Sequence, residues 1–267
     1  MPPREIDVLR KKLEEIDFDN ASIRSFKGLP TMDYGFFPGG NGLFDGIGGD
    51  ISRISTLVLG SNFGCDNSFV DQDGQLRTRD ERTSSPTWSS KGGLKNTFRG
   101  VAMITRARTA IIDLRECFYT NAWPFLHKGG SNDDPPIEGW LQDDGLMSKC
   151  LSFFVNETLP VIKPKVIVAL GKGPAVFLSR IWPEKLKQWS LNEKTKWKDL
   201  TFAKLDRLFF EQVKYAEMNP YCVVLTHRSR AHINARFRKQ PYSDLDGEKR
   251  LLDHVADKAG LNWKGRG

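Results

Sequence analysis

One run limits the fold more than any other part of the chain: Lys165-Val-Ile-Val-Ala-Leu170, apolar and rich in β-branched residues, closing on Gly171. A strand without a polar side has no face to offer water, so it belongs in a sheet covered on both faces. Gly171-Lys-Gly-Pro-Ala-Val-Phe-Leu178 follows at once, and Pro174 suits the first turn of a helix, where its missing N–H is not needed. The same motif recurs. Ile54-Ser-Thr-Leu-Val-Leu59 reads as a first core strand stopping at Gly60, Cys117 to Thr120 as another ending at Asn121, and Tyr221 to Thr226 as the last, delivering His227. Strands alternating with helices predict an α/β fold: a single three-layer αβα domain with a central, mainly parallel sheet of about four strands.

Hydrophobic periodicity supplies the helices. Ile6, Leu9, Leu13 and Ile16 share one face of a helix beginning after Pro2-Pro3, and Leu94, Phe98, Val101 and Ile104 mark a second. Leu146, Cys150, Phe153 and Phe154 mark a third, with Glu157 at its solvated edge and Pro160 expected to end it. A last, capped helix is expected from Ser243-Asp244 to Gly260, with Leu251, Leu252 and Val255 facing inward. Gly35, Gly39, Gly40, Gly42, Gly46, Gly48 and Gly49 oppose any regular element, so residues 1–50 read as an N-terminal helix and a glycine-rich loop packed on the domain.

A chain of 267 residues, 39% of them hydrophobic, can bury one substantial core, which favours one domain over 1–267. No stretch approaches the roughly 18 to 20 unbroken apolar residues of a membrane span, and Met1 to Ile16 mixes charges where a signal peptide carries an apolar run. A soluble, intracellular protein is expected. Cys65, Cys117, Cys150 and Cys222 contain no C-x-x-C pair and read as reduced core thiols. Forty Lys and Arg against 33 Asp and Glu leave +7, an excess that suits a polyanionic partner where it is concentrated. It is concentrated after His227, in Arg228-Ser-Arg230-Ala-His232-Ile-Asn-Ala-Arg236-Phe-Arg238-Lys239.

In an open α/β sheet ligands bind beyond the carboxyl ends of the strands. The polar residues expected there are Ser61-Asn62, Thr120-Asn121 and His227-Arg228-Ser229, with Gly171 beside them. Each also has a structural explanation. Asn121 can be a turn-forming cap, His227 a satisfied strand-end histidine, and the basic run a solvated face.

In order, these motifs resemble those of the uracil-DNA glycosylase superfamily. Gly60-Ser61-Asn62-Phe63-Gly64 is similar to its first signature, a strand followed by Gly-x-Asp/Asn-Pro-x. Tyr119-Thr120-Asn121 resembles the Thr-Asn element that reads the base in the thermophilic-type branch, and Pro164 to Gly171 resembles that branch's strand and glycine turn. His227-Arg228-Ser229 is similar to the second signature, His-Pro-Ser, and the set spans roughly residues 54–260. Phe63 and Arg228 stand where the signatures have proline. The branch's iron–sulfur cluster needs a close cysteine pair that this chain lacks, so no cluster, other metal or cofactor is expected.

The resemblance implies a monofunctional DNA glycosylase acting on uracil or a related deaminated or damaged base in DNA, as a monomer. His227 and Asn62 would be catalytic: His227 stabilises charge on the departing base, and Asn62 places the water. An amide cannot take a proton as a carboxylate can, so a slow enzyme is expected. Asn121 would read the base edge, Ser61 and Gly64 would line a roomy pocket, and Phe69 would stack on the base, with Phe63 and Trp88 as rivals. Arg228, Ser229, Arg230, Arg236 and Arg238 would grip DNA. Two alternatives stand beside this: a weak or inactive relative that binds nucleic acid or a modified nucleotide, and an unrelated doubly wound enzyme holding a phosphate at Gly171 and Gly173.

Overall fold

A computed structural model describes residues 5–18, 22–25, 54–62, 117–128, 137–191, 210–225 and 247–261 of the protein. Its strands are β1 (Ile23–Arg24), β2 (Thr56–Asn62), β3 (Cys117–Trp123), β4 (Leu126–His127), β5 (Val166–Leu170), β6 (Phe210–Gln212) and β7 (Tyr221–Leu225). Its main helices are α1 (Glu5–Glu15), α2 (Ile137–Gln142), α3 (Asp144–Phe153), α4 (Lys172–Ile181) and α5 (Gly247–Lys258).

The central sheet has the order β3-β2-β5-β7-β6. β2 pairs in parallel with β3 and with β5, β5 pairs in parallel with β7, and β6 closes the edge antiparallel to β7. The mainly parallel α/β sheet read from the sequence is therefore present, with β6 as an added short strand. The chain lays β3 on one side of β2 and β5 on the other. That change of direction is the topological switch point, beyond which an open sheet leaves a crevice.

Alternation sorts the side chains into two cores. Leu57, Leu59, Phe118, Ile167, Ala169, Cys222 and Val224 pack on one face with Leu9 and Leu13 of α1, Phe153 of α3 and Phe177 of α4. Val58, Val166, Val168, Val223 and Leu225 pack on the other with Leu251, Leu252 and Val255 of α5, as the last helical stripe predicts. Burying each Val, Leu, Ile or Phe side chain among these contributes roughly 1.5–3 kcal/mol. α5 ends in a Schellman motif: Gly260 has φ 64, its N–H donates to the Asp257 carbonyl, and the Leu261 N–H donates to that of Ala256.

Three expected boundaries are corrected. β2 does not stop at Gly60 but runs to Asn62, and β3 does not end at Asn121 but runs to Trp123. The ladder carries both through, pairing Gly60 with Asn121 and Asn62 with Trp123. Pro160 does not end the third helix. A π turn, Phe154–Thr158, follows α3 directly, and helical structure resumes over Leu159–Ile162 until Lys163 takes a left-handed conformation at φ 47. An α-helical proline drives its ring into the carbonyl four residues back; the wider π turn, closed by the Leu159 N–H donating to the Phe154 carbonyl, removes that clash.

Leu9 and Leu13 are buried on α1, and Lys12 ion-pairs with Glu157 in the π turn, which docks this helix as its stripe requires. Of the cysteines, Cys150 and Cys222 are free and buried, and burial pushes both thiols well above the usual range. No helix among the described residues is long and apolar enough to cross a membrane. The glycine-rich stretch, Cys65 and the helix expected over Leu94 to Ile104 lie outside the described residues.

Candidate binding site at the carboxyl ends of the strands

The four parallel strands finish side by side. Leu59 of β2 pairs with Ala169 of β5, and Leu170 pairs with Leu225, the last residue of β7. The Gly171 N–H donates to the Leu225 carbonyl at 2.9 Å, tying the turn after β5 to the end of β7. Asn62 and Trp123 close the neighbouring pair. His227 comes two residues after β7 in the chain, outside the described residues.

Asn121 is half-buried inside β3, with two strand residues still to follow, so it does not cap a turn. Its register partner is Gly60. Asn and Gly are both poor strand formers, and their pairing in one ladder costs stability relative to β-branched residues on a scale of about 1 kcal/mol. Among the described residues nothing hydrogen-bonds the Asn121 amide.

Ser61 lies one residue on, but its hydroxyl goes to the other face. By alternation it follows Leu57 and Leu59 toward α4, and its Oγ lies 3.4 Å from where a side chain on Gly173 would begin. Trp123 closes the same spot, its Cζ3 only 3.2 Å from that position. Ser61 and Asn121 are thus neighbours along the sheet edge on opposite faces. Of Asn62 the structure gives the backbone, held in the ladder opposite Trp123.

Gly171 and Gly173 have other work than cradling a phosphate. The first spends its N–H on Leu225, and the second lets α4 pack directly on Ser61 and Trp123. Pro174 then offers no N–H at all.

An aromatic cluster anchors this edge, and the sequence reading did not contain it. Trp123 is fully buried, with ring centroids 5.8 Å from Trp140 and 5.9 Å from Phe177, while Phe125 meets Trp140 edge-on at 4.8 Å. Such pairs contribute about 0.5–1.5 kcal/mol beyond their buried area. Ala122 and Trp123 directly after Asn121 are both apolar and buried, the signal that could have extended β3.

Gly64, Phe69, Arg228, Ser229, Arg230, Arg236 and Arg238 lie outside the described residues, as do Phe63 and Trp88. Among the described residues no group of three or more His, Cys, Asp or Glu could hold a metal ion. No protein-family model and no curated protein matches the chain.

Proposed function

We propose that the protein is a DNA glycosylase that hydrolyses the N-glycosidic bond of uracil or a related deaminated base in DNA, acting as a monomer inside the cell in base excision repair. The observation that carries this reading is Asn121: a side-chain amide with no hydrogen bond among the described residues, seated near the carboxyl end of β3 in a parallel sheet, one strand away from Ser61 and Asn62.

The chemistry needs few groups. As the bond between C1′ and the base nitrogen breaks, positive charge gathers on the sugar and the base departs with the electron pair. His227 donates a hydrogen bond to the O2 atom of the leaving base, where negative charge develops, an interaction commonly contributing about 3 kcal/mol. Asn62 orients the water that attacks C1′, and that water releases its proton to solvent. Asn121 offers its N–H donors and its carbonyl to the O4 and N3–H of uracil. Cytosine presents the opposite pattern along that edge, so a buried mismatch leaves polar groups unpaired and discriminates against it. The basic run after His227 supplies phosphate contacts that offset the few kcal/mol needed to extrude a base.

Single- and double-stranded oligonucleotides containing uracil, hypoxanthine or xanthine, incubated with the protein and then treated with alkali, test this directly. Scission at the modified base, lowered about a hundredfold or more by His227→Ala, is the expected result. Absence of scission on every substrate at high protein excess overturns the reading. Salt-sensitive binding without scission would instead mark a non-catalytic nucleic-acid-binding relative.

A further inference from the structure

Gly60 sits in the middle of β2, and the usual reason for glycine does not apply to it. The described glycines with positive φ are Gly171 and Gly260, so the backbone at Gly60 does not call for the left-handed region. What sets it apart is space. A Cβ on Gly60 would stand 2.3 Å from Oδ1 of Asn121, 3.5 Å from its Cγ and 3.7 Å from the Thr120 carbonyl oxygen. The first distance is far inside contact, so Asn121 occupies the volume that any side chain at position 60 would need. Nδ2 of Asn121 is not among these three nearest atoms, so Oδ1 is the end of the amide closer to Gly60. No hydrogen bond from a described residue holds the amide in this orientation.

We infer that Gly60 is a positioning residue for Asn121: its missing side chain leaves the volume in which Oδ1 lies, and so sets the orientation in which the amide's N–H donors and carbonyl meet a base edge. The inference rests on the proposed base-reading role of Asn121 for its functional consequence, but the positioning itself is independent of any activity. A methyl group at position 60 must push Oδ1 away and swing the amide off the base edge. The loss should fall on recognition of the base, in kcat/KM and in the preference for uracil over cytosine, rather than on DNA binding at large.

Two measurements test it. First, the side-chain amide signals of Asn121 are identified in a ¹H–¹⁵N spectrum by their loss in Asn121→Ala, then followed in Gly60→Ala. They should move while signals from α1, on the other face of the sheet, stay in place; unmoved Asn121 signals overturn the inference whether or not the protein cleaves DNA. Second, on uracil-containing DNA, Gly60→Ala should lower kcat/KM at least tenfold, and the double variant Gly60→Ala/Asn121→Ala should be no slower than Asn121→Ala alone, because one residue acts through the other. Additive losses overturn it. A wild-type protein inactive on every substrate removes the glycosylase reading and leaves the spectrum to decide the positioning. Should Gly60→Ala not fold, Gly60→Ala/Asn121→Gly, which empties the contested volume, must fold; its failure would mean that space does not explain the glycine.

Discussion

The Tyr215 hydroxyl donates to the Val155 carbonyl at 2.5 Å, joining the β6–β7 hairpin to the π turn. This carbonyl lies five residues before Pro160, and in the π register the N–H at position 160 would be its donor. Proline has none. Tyr215 supplies from a distant part of the chain the hydrogen bond that the local sequence cannot make.

Removing that hydroxyl should leave a part-buried carbonyl unsatisfied. Tyr215→Phe is expected to lower unfolding free energy by about 1–2 kcal/mol in a denaturant titration. In a Pro160→Ala background the new N–H can reach the same acceptor, so the cost of Tyr215→Phe should shrink by about 0.5 kcal/mol or more. Equal costs in both backgrounds would mean that the tyrosine does not replace the missing N–H.

Gly173→Ala tests whether that glycine serves packing. The added methyl meets the Trp123 ring at 3.2 Å and Ser61 Oγ at 3.4 Å, both on the sheet beneath α4. Overpacking of this kind typically costs about 1–3 kcal/mol, and the near-ultraviolet circular dichroism of the buried indole should change with it. A glycine that merely cradled a phosphate would leave both stability and spectrum unaltered in the unliganded protein.

The buried thiols give the protein a pH signature. Burial raises the folded-state pKa of Cys150, with the Asp143 carboxylate adding to the effect, and burial alone raises that of Cys222. An unfolded cysteine ionises near pH 8.5, so the unfolded chain loses these protons first. Their stabilising contribution is complete below about pH 8.5 and is lost progressively as pH rises toward the raised folded values. Stability measured from pH 7.5 to 10 should fall, and less steeply in Cys222→Ala once its own destabilisation is subtracted. A slope unaffected by that substitution would contradict the burial argument. At pH 8 both thiols should resist alkylation until denaturant is added.

The sheet was legible in the sequence because its central strands contain almost nothing polar: Val166 to Ala169 are buried at every position, so their run needed no partner to be recognised. The ends of β2 and β3 were not, because Gly60 and Asn121 look like stops when read alone. Each is carried through by pairing with the other, a relationship between distant segments. Pro160 misleads in the same way, since the group that accommodates it lies on the β6–β7 hairpin. For the site, the approach of Ser61 and Asn121 toward the carboxyl ends of neighbouring strands was legible, but their places inside those strands and their opposite faces depended on how far β2 and β3 continue beyond Gly60 and Asn121.

The position of β2 between β3 and β5 also bears on how the protein is made. During synthesis β3 can pair with β2 as soon as it emerges, but the other edge of β2 stays bare until Val166 to Ala169 has followed. At about 5–20 residues per second that exposure lasts for seconds, with apolar Leu57, Val58 and Leu59 beside an unpaired row of backbone groups. The edge of β2 that β5 later covers is therefore the one that a nascent chain leaves open longest.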